Sequence, residues 1–461
     1  MADLNHFENY EWLGLFFLPD QSLEFPGKLT YTPEDGVCLD FMCGMQEGIK
    51  KSDYIHGILS TGRRCTLFGS FDPALFGMSL GRQASLYNGK IKFDAVLFNN
   101  LASLDSKFHG ISFDLTNFQE FCHPQGLKDH AKFSSIPLFN CKLGDLEVSI
   151  HNTGKFKYLG NDITNIFHCK KEEVVQELSQ AFLSVVEKHK GESIFTRHDI
   201  GWELRVTSQN KFNQKEIREK LFEFENFVSL LIYAPVRRTT VSILIDGDQD
   251  GQYSESPLLT SFFDMSGYKI KTLNNKIFNP DVPISPMAVS DFSKVIKKWM
   301  ELGSSFQLFT LRISNRFPPT QEHDLRAELI LGLTQLEAAA RALGKKKDSE
   351  KYDYPLTYYD HYKICTILRK ALFTTERKTI GQSLTSLRGE MAHLASSASL
   401  LKRMGIYKLF IVCRCIDIIN ASHIYSQLEI PQENVINFQK KEIIKLSPYF
   451  NDDQNQEGKS D

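Results

Sequence analysis

Trp12-Leu-Gly-Leu-Phe-Phe-Leu-Pro19, Gly27-Lys-Leu-Thr-Tyr-Thr32 and Val37-Cys-Leu-Asp-Phe41 follow one another closely near the start of the chain. Each run has the length of a β-strand, is rich in aromatic and branched side chains, and is bounded by Gly, Pro or Asp, which break regular structure. The pattern continues at Ile55–Ser60, Lys92–Phe98, Gly110–Leu115 and Leu146–Ile150. Many short strands at such spacing, from Glu11 to about Leu159, predict an antiparallel sandwich or barrel. The 35 phenylalanines against 3 tryptophans suit a large β-rich core, since Phe buries much apolar area and carries no polar atom.

Further along, Asn213 with Glu216 three residues on reads as a capping box. Ile217, Leu221, Phe224, Val228 and Leu231 then step by four and three down one helical face as far as Pro235. Val241–Ile245 reads as a strand. From about Ser290 the β signal fades, and Pro318-Pro319 opens a helical region. Leu325, Leu329, Leu333, Leu336, Ala340 and Leu343 form one stripe that stops at Gly344, a residue suited to closing a helix. Tyr358–Phe373, Arg377–Lys402 and Gly405–Gln427 supply three more helices, and four helices with short connections predict a bundle. The expected fold is therefore α+β: a β-rich region over 1–290, a helical domain over 291–450 and a disordered polar tail over 451–461.

A chain of 461 residues with 42% hydrophobic and 24% charged residues is an ordinary globular protein of two or three domains. Its net charge of −2 excludes a uniformly basic nucleic-acid coat, so any nucleic-acid contact must be local. Nine scattered cysteines without a Cys-x-x-Cys pair point to a reduced, cytoplasmic setting. The acidic N-terminus and the lack of a long apolar run predict neither export nor a membrane span.

No P-loop, dinucleotide glycine fingerprint, His-Glu-x-x-His or Gly-x-Ser-x-Gly is present. Cys122, His123 and His130, with His168 and Cys169, lack the regular spacing of a metal site. Asp246-Gly-Asp-Gln-Asp-Gly251 reads as a solvated turn, because it lacks the closing acid of a calcium loop. The remaining candidate is Arg388 with His393, an Arg-x4-His pattern inside Ser386-Leu-Arg-Gly-Glu-Met-Ala-His-Leu394. Chance alone supplies such pairs, so its setting matters.

Ile380, Leu384, Leu387, Met391, Leu394, Ala398 and Leu401 form an unbroken stripe that predicts one long helix. Relative to that stripe Arg388 lies roughly 80° to one side and His393 roughly 140° to the other. These angles disfavour a buried polar tie and fit either a functional pair or an inconsequential surface pair. Opposite the stripe lie Thr385, Gly389, Ala392, Ser396 and Ser399, small enough for a second helix to approach. Residues 341–410 hold 14 Lys/Arg against 6 Asp/Glu, a local field that attracts polyanions. Arg316 and His323, the competing pair, straddle Pro318-Pro319 and cannot present from one regular helix.

A helical bundle with Arg-x4-His on its penultimate helix resembles the HEPN superfamily, whose active members are metal-independent ribonucleases. Trp12–Pro19, Phe25-Pro-Gly-Lys-Leu-Thr-Tyr31, Asp35-Gly-Val-Cys-Leu39, Ile55-His-Gly-Ile-Leu59 and Arg64-Cys-Thr-Leu67 look like the opening of an ApeA N-terminal domain. The whole chain thus resembles ApeA-like proteins of bacterial antiphage abortive infection. The resemblance implies RNA as substrate, Arg388 and His393 as catalytic residues, and neither a metal nor a cofactor. It also implies a homodimer or higher even-numbered assembly sharing a cleft, and a phage component as trigger, sensed by the β-rich half. Gly389 departs from the polar residue, often Asn, that follows the arginine in many HEPN motifs. The competing reading is a degenerate HEPN dimer that binds nucleic acid or protein without cutting.

Overall fold

The computed structural model describes residues 4–44, 51–72, 77–80, 84–122, 136–158, 167–246, 253–261, 282, 284–314, 322–345, 350–393 and 399–450. Fourteen strands are β1 (Tyr10–Phe17), β2 (Glu24–Thr32), β3 (Gly36–Gly44), β4 (Ser52–Leu59), β5 (Arg64–Phe71), β6 (Gly77–Leu80) and β7 (Ala84–Phe93), then β8 (Ala95–Phe98), β9 (Phe108–Leu115), β10 (Phe139–Leu143), β11 (Leu146–Tyr158), β12 (Phe195–Phe212), β13 (Arg238–Asp246) and β14 (Tyr253–Thr260). They pair in the order β10-β11-β12-β9-β13-β14-β8-β5-β4-β1-β2-β3-β7-β6. The first half is therefore β-rich, as the short apolar runs predict.

One stretch of this sheet curls on itself. β7 passes into β8 through Asp94, whose N–H donates to the Phe68 carbonyl at 2.8 Å and whose carbonyl accepts from Ser261 N–H at 2.9 Å. The Ser261 hydroxyl donates to the Phe93 carbonyl at 2.7 Å and accepts from Val37 N–H at 3.0 Å. Gly36 sits in the left-handed region at φ 73°, and a Cβ there would fall 2.3 Å from that hydroxyl, so the closure requires glycine. Inside the curl Phe16, Phe25, Tyr31, Phe71, Phe93 and Phe98 are buried. The barrel-like reading of the strand pattern holds here.

The helices are α1 (Phe118–Cys122), α2 (Glu172–Lys188), α3 (Gln214–Ile232), α4 (Phe292–Leu302), α5 (Gln307–Ser314), α6 (Glu322–Ala342), α7 (Asp353–Tyr359), α8 (Ile364–Ala371), α9 (Ile380–His393), α10 (Ser399–Gln427) and α11 (Gln432–Leu446). α3 opens with the expected reciprocal cap between Asn213 and Glu216, and Ile217, Leu221, Phe224, Val228 and Leu231 are all buried. From Phe224 to Ile232 every residue of α3 is buried. On one side the Phe224 ring lies 6.4 Å from that of Phe113 on β9. On the other, Phe227 lies 5.2 Å from Trp299, and the Tyr425 hydroxyl donates to the Leu230 carbonyl at 2.6 Å. The apolar core thus runs from the sheet through α3 into the helices.

In the helical region Leu325, Leu329, Leu333, Leu336 and Ala340 are buried and Gly344 turns left-handed, both as expected. Ile411 to Tyr425 of α10 is buried on every side, which marks it as the central helix.

Two sequence expectations need correction. The single helix over Tyr358–Phe373 is two, because the Asp360 carboxylate accepts from Ile364 and Cys365 N–H at 2.8 Å and starts α8 anew. The single helix over Arg377–Lys402 is not straight: Glu390 accepts from Leu400 and Leu401 N–H at 3.2 and 2.9 Å, whereas residues ten apart on one helix are about 15 Å apart along its axis. Leu394 and Ala398 lie outside the described residues, as does the tail from 451. The sequence patterns predict no helix at α1, α2, α4, α5 or α11. Among the described residues no helix is long and apolar enough to cross a membrane.

Candidate functional site

α9 begins at Thr379, which exchanges hydrogen bonds with Gln382: the Thr379 hydroxyl accepts from Gln382 N–H at 3.1 Å, and the Gln382 side chain accepts from Thr379 N–H at 3.0 Å. The Asp353 carboxylate accepts from Gly381 N–H at 2.7 Å and, as an anion, also complements the positive end of the helix. Ile380, Leu384, Leu387 and Met391 are buried along one side, so the periodicity of the sequence is that of the core. This fixes the rotation of α9 and leaves Thr385 exposed and Gly389 partly exposed.

Arg388 leaves the helix at the edge of the buried stripe and reaches Glu337 on α6. Its Nη1 donates to Glu337 Oε1 and to the Tyr352 hydroxyl, the latter at 2.9 Å. The Tyr352 hydroxyl donates to the same carboxylate oxygen at 2.7 Å, and Lys351 Nζ lies 3.5 Å from it. The helical wheel disfavoured a polar tie, yet a half-buried one exists, because a long side chain starting about 80° from the stripe can still reach a neighbouring helix. Burial pushes the Glu337 carboxyl up, but the Tyr352 hydrogen bond and the Arg388 and Lys351 charges outweigh it and hold it below its ordinary value. Burial and the hydrogen bond to Glu337 push the Tyr352 phenol up to about 12. The Tyr352 hydrogen bond, with the nearby negative charge, raises Arg388 further. At neutral pH the site is an ionised carboxylate, a neutral phenol and a guanidinium.

All hydrogen bonds of Arg388 in this cluster use Nη1. Among the described residues the Nε/Nη2 edge of the guanidinium is therefore available, on a side chain 35% exposed. A planar edge with two donors, pre-oriented through its third nitrogen, can bind a carboxylate or phosphate bidentately. His393 closes α9, five residues and about 7.5 Å of helical rise beyond Arg388; its side chain lies outside the described residues. Among the described residues an added Cβ at Gly389 would meet nothing within 4 Å. The glycine is not required by packing against the described residues, and toward them the face it shares with Thr385 is open there.

The sequence gives no sign of Glu337, Tyr352, Asp353 or Glu390, since each acts through a contact made only on folding. The same holds for a buried charge cluster behind the site. Asp417 pairs with Arg312 and, at 3.2 Å, with Arg414, while Arg414 lies 3.6 Å from Glu328. These groups tie α5, α6 and α10 together in the interior. His123, His130, the Asp246–Gly251 turn beyond Asp246, Arg316 and the His323 side chain lie outside the described residues. Among the described residues no three His, Cys, Asp or Glu side chains gather as metal ligands would.

The family described as ApeA N-terminal domain 1 matches residues 11–299, which take in the barrel, the rest of the sheet, α3 and most of α4. Neither the curated proteins nor the solved structures include a match to the chain.

Proposed function

The chain belongs to the ApeA family of antiphage defence proteins, and from that premise we propose that its helical region is a HEPN-type, metal-independent endoribonuclease acting in abortive infection. The observation that carries this reading is Arg388: charged, held by Glu337 and Tyr352 through one nitrogen, and open along its two-donor edge. RNA brings its own nucleophile, the 2′-hydroxyl, so cleavage needs proton transfer near neutral pH and a cation for the charge that builds on phosphorus. His393 is the proton-transfer group, an imidazole having the right ordinary pKa. Arg388 is the phosphate clamp. Attack of the 2′-oxygen on phosphorus expels the 5′-oxygen, leaving a 2′,3′-cyclic phosphate and a 5′-hydroxyl once the leaving oxygen is protonated.

The open small face around Thr385 and Gly389 supports a dimer in which two copies of α9 build one cleft. The β-rich half is the regulatory part, answering a phage component in the cytoplasm. The test is incubation of the purified full chain with total RNA in EDTA, beside His393→Ala. The expected result is cleavage by the wild type, with 2′,3′-cyclic phosphate ends, and none by the variant. Equal cleavage by both removes His393 from the mechanism, and no cleavage by either under any trigger favours the non-catalytic binding reading that Gly389 raises.

A further inference from the structure

Phe410, Arg414 and Ile418 stand four residues apart on one face of α10, and Glu442, Lys445, Leu446 and Tyr449 share one face of α11 and the turn that follows it. Together with Tyr233, which ends α3, they line a cavity of about 220 Å³. Protein interiors leave few voids larger than a water molecule, and one water needs only about 10–15 Å³. A gap of this size is far beyond the ordinary irregularity of packing.

Its walls are aromatic. Tyr233 closes α3 in the left-handed region at φ 59°, with its N–H donating to the Leu230 carbonyl at 3.2 Å. That position favours Gly or Asn, and a bulky aromatic there is an outlier. The backbone does not call for tyrosine, so the reason lies with the side chain, whose ring is buried 4.9 Å from that of Phe438 beside the cavity. Across from it the Tyr449 ring, 39% exposed, lies 5.1 Å from the Phe410 ring. Ile418 and Leu446 are buried and add aliphatic surface. Three aromatic rings around one cavity suit a flat ring, which can stack or meet them edge to face.

The polar groups narrow the choice of ring. Arg414 is committed to the interior, bonded to Asp417 at 3.2 Å, 3.6 Å from Glu328, and with its Cζ 5.0 Å from the Phe410 ring centroid. What the cavity offers is the pair Glu442 and Lys445, whose Nζ donates to Glu442 Oε1 at 2.7 Å. Lys445 is half exposed and Glu442 only 14% exposed, so the pair stands at the mouth with the carboxylate inward. Among the described residues Glu442 Oε2 accepts no hydrogen bond, and Lys445 spends one of its three N–H donors on this pair. A donor and an acceptor thus sit side by side at the mouth of an aromatic cavity. Their complement is a flat ring whose edge carries an N–H next to an acceptor atom, which is the base-pairing edge of a nucleobase. We propose that this cavity binds a nucleobase, with its ring among Tyr233, Phe410 and Tyr449 and its edge on Glu442 and Lys445. The ring chemistry is the same whether the base belongs to a free nucleotide or to an unstacked position in single-stranded RNA. The site does not depend on the ribonuclease reading, and its occupant touches the end of α3, α10 and α11 together.

The test is isothermal titration calorimetry of the full chain with GMP, with AMP, with ribose 5-phosphate, which has no base, and with a single-stranded oligonucleotide. The oligonucleotide is 2′-O-methylated throughout and so cannot be cut through its 2′-oxygens. The wild type should bind a mononucleotide or the oligonucleotide and should not bind ribose 5-phosphate. Tyr449→Ala should weaken that binding at least about fivefold by removing one stacking ring. Tyr449→Phe should keep it, which separates the ring from a general effect on folding. Glu442→Ala should weaken it at least about tenfold, since a hydrogen bond to a charged group is lost. Mononucleotide binding with both losses assigns a free nucleotide, and oligonucleotide binding alone with both losses assigns an unstacked RNA base. No binding of any of these ligands, or binding that both variants leave unchanged, overturns the proposal. So does ribose 5-phosphate binding as tightly as the mononucleotides. Phenylalanine binding more tightly than either mononucleotide, with the same two losses, reassigns the cavity to a zwitterionic aromatic amino acid and also overturns it. Neither variant touches Arg388 or His393, so the ribonuclease reading stands or falls separately.

Discussion

Arg388 has two possible jobs, holding α9 to α6 or clamping a phosphate, and paired variants separate them. In Arg388→Ala the tie is lost. The pair is more than a third exposed on the arginine side, so solvent screening limits its ionic part to about 0–1 kcal/mol. The Tyr352 hydrogen bond adds about 1 kcal/mol. Glu337 keeps Tyr352 at 2.7 Å and Lys351 at 3.5 Å, so its charge is not stranded and the stability loss should total about 1–2 kcal/mol. Glu337→Ala should cost a similar amount, because it removes the same ion pair and one hydrogen bond, that from Tyr352, while Arg388 keeps its own bond to Tyr352.

Activity should divide the two variants. Loss of a pre-oriented donor that stabilises transition-state charge costs about 10²–10³ in kcat. Loss of Glu337 leaves the guanidinium present but held only by Tyr352, and ordering one long side chain costs about 0.5–1.5 kcal/mol, about tenfold or less. Arg388→Lys should fail nearly as badly as alanine, since a point charge lacks the two-donor edge. The measurements are urea unfolding and RNA cleavage on the same preparations. Equal activity loss in Arg388→Ala and Glu337→Ala, tracking their equal stability loss, would show that Arg388 is only a tie.

Asp417→Asn should destabilise the helical region by about 3–5 kcal/mol in urea, because it leaves two buried guanidinium groups under-compensated. Adding Arg312→Met to it should recover part of that loss, and a single variant costing under about 1 kcal/mol contradicts the account. Burial holds the His423 imidazole down at about 4, against an ordinary value near 6.5. The unfolded chain therefore takes up a proton that the folded chain refuses, so this stability is complete above about pH 6.5 and is lost as pH falls towards 4. Between those limits the loss is about 3 kcal/mol. His423→Gln, which can still bond the Tyr359 hydroxyl that now lies 2.8 Å from the imidazole, should lose that much less on acidification; identical losses in both proteins would sink the assignment.

The β-rich half was legible because its signals are local: strand-length apolar runs and glycine or proline breaks report on their own backbone. The α3 cap and its buried stripe were legible for the same reason. What misled the reading of α9 was phase. Apolar residues in the sequence keep steps of four and three through Leu401, although Leu401 lies on chain that folds back to Glu390, and periodicity cannot distinguish that from one long helix. The bend of α10 at Gly405, by contrast, fell where the sequence placed a helix boundary. At the candidate site the sequence singled out Arg388, but Glu337, Tyr352 and Asp353 lie 26 to 51 residues from their α9 partners. No pattern within one helix could name them.

If the β-rich half restrains the helical half, the restraint must pass through elements packed against both, and α3, buried throughout from Phe224 to Ile232, is one such element. A ligand shifts such an equilibrium only by its difference in affinity for the two states, about 1.4 kcal/mol for a tenfold change. Phe227 tests whether α3 can transmit it: its ring is buried, 5.2 Å from Trp299 and 6.1 Å from Phe292, with Phe224 at 6.3 Å leading on to Phe113 of the sheet. Phe227→Ala should cost about 3–5 kcal/mol. In hydrogen exchange, protection should fall together in β9, β13 and the buried part of α10, because the core is continuous across α3. Protection lost in the helices while β9 and β13 keep theirs would mean that the halves open independently, and restraint would then have to act through another contact.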